Sequence, residues 1–241
     1  MSWLNKNNTS EAKNWFGAIY MKPLLEAFLG MVCATIIMQF LMKGHDDLPA
    51  STMLLVSLLP LHVIAIGIFI YKLSPAILQL GANLVLQWRT DAAHPWKKLI
   101  WLFIGAVSST VAANLLTGLF CILFEKKMEV QDIVGKIQDS QDPLFILLSG
   151  IAAILLAPIA EELLFRLGLY NVLTTRLNST AASLATSLLF AAAHGQASMI
   201  PGLFVIGLFL QHAKNRCGLR QSILLHACYN AFQFSMILLV M

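Results

Sequence analysis

Residues 177–213 contain no Asp, Glu, Lys or Arg. A run of that length exceeds the ~20 residues that cross a hydrocarbon core. Gly195, Pro201 and Gly202 interrupt it, so the sequence predicts two helical spans, roughly 179–195 and 199–213, joined by a break. Apolar runs at 24–42, 51–71, 99–124, from Pro143 to the acidic pair at 161–162, and at 221–241 raise the count to seven. Charged residues make up only 12% of the chain and hydrophobic ones 58%, whereas soluble domains carry ~25% charged residues. The mean hydropathy of +0.75 agrees. The expected fold class is all-α: a polytopic membrane helix bundle of about seven spans, with an eighth as the competing count.

The eighth would fall at 73–88, which is uncharged but short. There Gln79, Asn83 and Gln87 recur every four residues, with Ile77, Leu80, Leu84 and Trp88 on the other side. That pattern reads as an amphipathic helix lying along the interface. Residues 1–20 mix Trp3, Trp15, Phe16 and Tyr20 with polar residues; they read as a headgroup-level anchor or as a disordered tail, and show no cleavable signal pattern. Asn114, alone in the third span, reads as helix–helix glue. The division expected is a membrane-spanning region with interfacial helices over 1–142 and a functional helical core over 143–241.

Orientation follows from the basic residues. With seven spans and the N-terminus inside, only Lys43, Lys126, Lys127 and Lys136 of the 16 Lys and Arg fall outside, leaving twelve on the cytoplasmic side. The net charge of +4 and pI of 8.9 thus need no nucleic acid partner. Cys33, Cys121, Cys217 and Cys228 are scattered without a Cys-x-x-Cys pair, which points to neither a disulfide framework nor a zinc knuckle. The expected setting is a multi-pass protein of a bacterial cell membrane, its N-terminus and its site both facing the cytoplasm.

Ionised side chains inside hydrocarbon cost about 2.5–3.5 kcal/mol each on insertion scales. The stretch Pro158-Ile-Ala-Glu-Glu-Leu-Leu-Phe-Arg166 therefore needs an explanation. Glu162 and Arg166 are i,i+4 neighbours that can neutralise each other. Glu161 lies about 100° round the helix and is left outside that pair. His194 and Glu161 are each roughly 16 residues, or ~24 Å of helix, from the turn near Asn178, so an antiparallel hairpin brings them level. His226 and Asn230 are again i,i+4 and share one face of the last span. Three helices can thus aim Glu161, His194, His226 and Asn230 at one pocket. His45, His62, His94 and His212 match no such pattern and read as packing or interfacial residues. Cys228 faces away from His226 and is no nucleophile candidate.

These residues carry a family resemblance. Glu161-Glu162-Leu-Leu-Phe-Arg166, Phe190-Ala-Ala-Ala-His194 and His226-Ala-Cys-Tyr-Asn230, in that order inside apolar segments, resemble the motifs of the CAAX prenyl endopeptidases and their bacterial relatives, the CPBP or Abi family of intramembrane proteases. The resemblance covers about residues 143–241. It implies an intramembrane endopeptidase in which Glu161 is the general base, His194 helps to hold the water, and His226 and Asn230 donate to the oxyanion. It gives Glu162 and Arg166 a structural role and puts Phe190 in the pocket wall. Pro158 would kink the helix beside the acids.

The expected cofactor is none, with zinc as the alternative. Were zinc bound, Glu161, His194 and His226 would be its candidate ligands; there is no His-Glu-x-x-His, and Asn is a poor zinc ligand but a good oxyanion donor. The expected partners are the bilayer and a peptide or membrane-protein substrate; the sequence leaves the oligomeric state and the substrate's prenylation open. The competing functions are a non-catalytic membrane partner in bacteriocin immunity or scaffolding, and a small transporter, for which no internal repeat is found.

Overall fold

The computed structural model describes residues 20–30, 95–128 and 132–241, with isolated positions between 33 and 71. The interfacial helix expected at 73–88 lies wholly outside the described residues, as does nearly all of the 1–20 segment. The first two expected spans are described only in part.

Every regular element in the described residues is helical. We label them α1 (Pro95–Leu123), α2 (Asp132–Gln138), α3 (Pro143–Leu173), α4 (Ser179–Ala192), α5 (Ile200–Cys217) and α6 (Leu219–Leu239). Among the described residues four helical stretches are long and apolar enough to cross a membrane: Trp96–Leu123, Pro143–Leu173, Ala197–Cys217 and Leu219–Leu239. The helix boundaries have local causes. Asp142 caps α3, accepting from the Leu144 N–H at 2.9 Å, with Pro143 in the first turn where a missing N–H costs nothing. Asn178 caps α4 through the Ala181 N–H at 2.8 Å. Gly218, at φ +97°, turns the chain from α5 directly into α6 in a conformation that L side chains rarely adopt.

The helix from Pro143 continues past the acids to Leu173, as the expected hairpin requires. One sequence expectation is corrected. The segment expected to span over 179–195 is helical only to Ala192, so at 1.5 Å per residue α4 is about 21 Å long, short of a ~30 Å core. The chain then passes through Gly195 (φ +80°) and a single 3₁₀ turn, Ala197–Met199, into α5.

Helix α5 is central, packing against α1, α4 and α6. Close approaches are made at small residues, as expected where helices associate without a hydrophobic driving force. A Cβ on Gly207 of α5 would come 3.1 Å from the Ser187 Cβ of α4. One on Gly202 would collide with the Asn114 side chain of α1, so the expected glue residue does sit at a helix contact. The outer faces of α1 and α6 expose Leu115, Leu116, Leu123 and Leu239, as a lipid-facing surface should. Tyr20 and Ala27 pack with Leu163, Leu167 and Leu219 near the α5–α6 turn. There Lys214 is buried, its ammonium 4.4 Å over the Tyr170 ring.

Candidate active site

Helix α3 is not a regular α-helix where it carries the acids. Wide π-type turns run over Ala152–Leu156 and Glu162–Leu169, separated by one α-turn, Ala157–Glu161. Pro158 accounts for the first. The Ala157 N–H bonds back to the Ala152 carbonyl, five residues away. The Ala153 carbonyl has thereby lost its i+4 partner, and its i+5 partner is a proline with no N–H. An orphaned carbonyl in apolar surroundings must find a donor, and Asn230 Nδ2 supplies one at 2.8 Å. The kink expected from Pro158 is thus a change of helical register stitched to α6, of the kind that recurs at functional sites.

The second distortion surrounds the acids. Glu162 and Arg166 have no solvent exposure. The Arg166 Nε is 3.5 Å from Glu162 Oε2, its Nη2 donates to the Gly207 carbonyl at 3.3 Å, and its guanidinium lies 4.4 Å over the Phe190 ring. Glu162 also accepts from the Ser222 hydroxyl at 2.5 Å and from His226 Nδ1 at 3.0 Å. The Glu162–Arg166 pair expected from spacing is present. It also serves His226, a role that spacing did not reveal. With Nδ1 committed to Glu162, the other ring nitrogen, Nε2, lies 3.7 Å from Glu161 Oε2. Glu161 itself is 25% exposed.

His194 follows the end of α4, and its Nδ1 sits 2.9 Å from the Phe190 carbonyl. A carbonyl only accepts, so Nδ1 carries the proton and Nε2 keeps its lone pair. The Phe190 ring meets His194 edge-on at 5.0 Å, His226 at 5.8 Å and Phe165 at 5.4 Å. Phe190 is thus the common apolar wall between both imidazoles and the buried guanidinium.

Glu161, Phe190, His194, His226 and Asn230 line one cavity of about 600 Å³, within the range of ligand clefts. All four polar residues expected at one pocket line this cavity, while Glu162 and Arg166 stand behind its wall. Other polar lining residues were not singled out as site residues, among them Thr110 and Asn114 of α1, Ser149 of α3, and Tyr229 and Gln233 of α6. His62 lines it too. Ser222, which anchors Glu162, was also missed; its signal was there, since Ser222, His226 and Asn230 stand at i, i+4 and i+8 on one face. Cys228 is exposed and unpaired.

The cavity's lining runs from Glu161 and His226 past Ser149 to Ile137 and Val240, in the half of the bundle away from the 174–178 and Gly218 turns that carry Arg176 and the Lys214–Arg220 cluster.

Among the described residues, no three His, Cys, Asp or Glu side chains come together as a metal site. Glu161, His194 and His226, the residues that would hold zinc, line the same cavity without meeting as such a group, and Glu162 on His226 Nδ1 leaves Nε2 open.

The class defined by these features is a membrane-embedded helical protein with an internal cavity into which a few polar side chains project. Residues 143–232 match the family model described as type II CAAX prenyl endopeptidase Rce1-like. The match supports assigning that segment to the CPBP/CAAX protease family. No curated protein and no solved structure matches the chain.

Proposed function

We propose that this protein is an intramembrane endopeptidase in which Glu161 and His194 activate water and His226 and Asn230 stabilise the tetrahedral oxyanion. The observation that carries the reading is His226 lying between two carboxylates of unlike surroundings: Glu162, fully buried and hydrogen-bonded, and Glu161, partly open to the cavity. Two titratable groups of one kind in contrasting environments support different roles for them. Glu161 takes the proton of a water held against the His194 Nε2 lone pair, and the hydroxide attacks the peptide carbonyl. Charge moves to the carbonyl oxygen, where the second Asn230 amide hydrogen donates, joined by Nε2–H of His226 in its imidazolium form, in which Nδ1–H stays bonded to Glu162. Glu161 then returns the proton to the leaving nitrogen as the C–N bond breaks.

Glu162, Arg166 and Ser222 are positioning residues: they fix the His226 ring and leave Nε2 directed at the cavity. The glutamate protease needs no metal in this mechanism. Purified protein in nanodiscs should cleave a peptide substrate, lose turnover on Glu161→Gln, and keep it after exhaustive chelation. Loss with chelator and recovery with zinc would replace this mechanism with a metalloprotease one. A Glu161→Gln protein as active as the parent would end the protease reading.

A further inference from the structure

Phe234 belongs to two spaces at once. It lines the catalytic cavity, and it also lines a second hollow of about 550 Å³ on the outer surface between α3 and α6. That outer groove is walled by Pro143, Ile146, Leu147, Ile151, Ile154 and Leu238, with Gly150 at its floor, and would face lipid. Gly150 explains how one ring separates the two. A Cβ there would stand 3.2 Å from the Phe234 Cε1, so the glycine lets the ring lie closer on the α3 backbone than a larger residue would. Beyond it, inside the cavity, is the widened turn at Ala152–Leu156, whose Ala153 carbonyl is held by Asn230.

We infer that the substrate is an apolar peptide segment drawn from the bilayer, which passes between α3 and α6 when the Phe234 ring swings off Gly150. This rests on the endopeptidase reading above and names its substrate class and route. Three features carry it. The groove and the cavity meet at one shared side chain. None of the described residues lining either space is Lys or Arg, so neither offers a Lys or Arg counter-charge to a C-terminal carboxylate, which low-dielectric surroundings penalise. The occupant must also bring an amide to Glu161, which a lipid tail does not.

The test uses the Glu161→Gln protein in phosphatidylcholine vesicles with a benzophenone-bearing peptide that has an apolar segment of ~20 residues. Photo-adducts should map to the cavity faces of α3 and α6. Their yield should rise when Phe234→Ala is added. It should fall roughly tenfold with Leu238→Trp, which fills the groove, the scale of excluding one apolar side chain. Equal yields in the three proteins, adducts confined to the outer surface, or cavity labelling by a photoactivatable phospholipid instead of the peptide would overturn the route. A water-soluble peptide with the same cleavage sequence separates the two claims. Its turnover by the active enzyme should be unaffected by Leu238→Trp, and parallel loss of both substrates would overturn the route. Peptide adducts that follow the predicted order, with no cleavage of either peptide, would leave the route standing and sink the protease reading.

Discussion

Glu162 holds His226 through Nδ1 at 3.0 Å, and Glu161, the adjacent residue, faces the opposite nitrogen of the same ring at 3.7 Å. The two neighbours therefore fail differently when neutralised. Glu161→Gln removes a partly exposed carboxylate, so turnover should drop by about 10²–10⁴ while the unfolding midpoint stays near that of the parent. Glu162→Gln leaves Arg166 buried without its counter-charge, a loss of about 3–5 kcal/mol. Thermal unfolding in detergent beside peptide turnover reads both; equal destabilisation by the two variants contradicts the assignment.

Asn230 should be coupled to Pro158. Removing the amide with Asn230→Ala strands the Ala153 carbonyl at a cost of about 1–3 kcal/mol. Pro158→Ala restores an N–H that can serve the α3 carbonyls, so the same Asn230→Ala change should cost less in that background. A double-mutant cycle on stability measures the coupling. Activity should not return in the double variant, because the oxyanion donor is still missing. Strictly additive stabilities would mean that the bond to Ala153 does not matter.

Gly207 should not tolerate a branched side chain. Its Cβ would meet both the Ser187 side chain and, at 3.3 Å, the Ser187 Cα, and backbone cannot step aside as a flexible side chain can. Gly207→Val should cost about 1–3 kcal/mol through overpacking. By parting α4 from α5 it should also reduce turnover more than substrate affinity. A fully active, equally stable variant would show that these helices can separate freely.

The basic turns and the cavity mouth should label from opposite sides of the membrane. In a cysteine-free background, Leu177→Cys sits between Arg176 and the start of α4, and Asp139→Cys just beyond α2. With the basic end cytoplasmic, a membrane-impermeant maleimide added outside intact cells should modify Asp139→Cys and spare Leu177→Cys. The reverse pattern would place the basic cluster outside and the cavity mouth in the cytoplasm.

The site was more legible than the architecture that carries it. Ionisable residues in hydrocarbon are costly enough that Glu161, Arg166, His194 and His226 announce themselves, and i,i+4 spacing was sufficient to pair Glu162 with Arg166 and His226 with Asn230. Spacing could not say that Glu162 also reaches across to α6, since that contact depends on how two helices cross. It could not give the register shift either, because a proline predicts a missing hydrogen bond but not which carbonyl is orphaned. The length of α4 was misjudged for a related reason: the apolar run continues to Ala193, and hydropathy does not register where the backbone stops being helical.

The short α4 has one more consequence. Peptide hydrolysis has two reactants, and a catalyst sunk in oil must import the smaller of them as well as the larger. Where α4 gives out, the non-helical backbone from Ala193 to Gln196 presents polar groups that lipid tails cannot satisfy, and they adjoin His194. Under the proposed mechanism a truncated helix is then a plumbing feature, the place where irregular backbone beside the imidazole would admit water into the bundle.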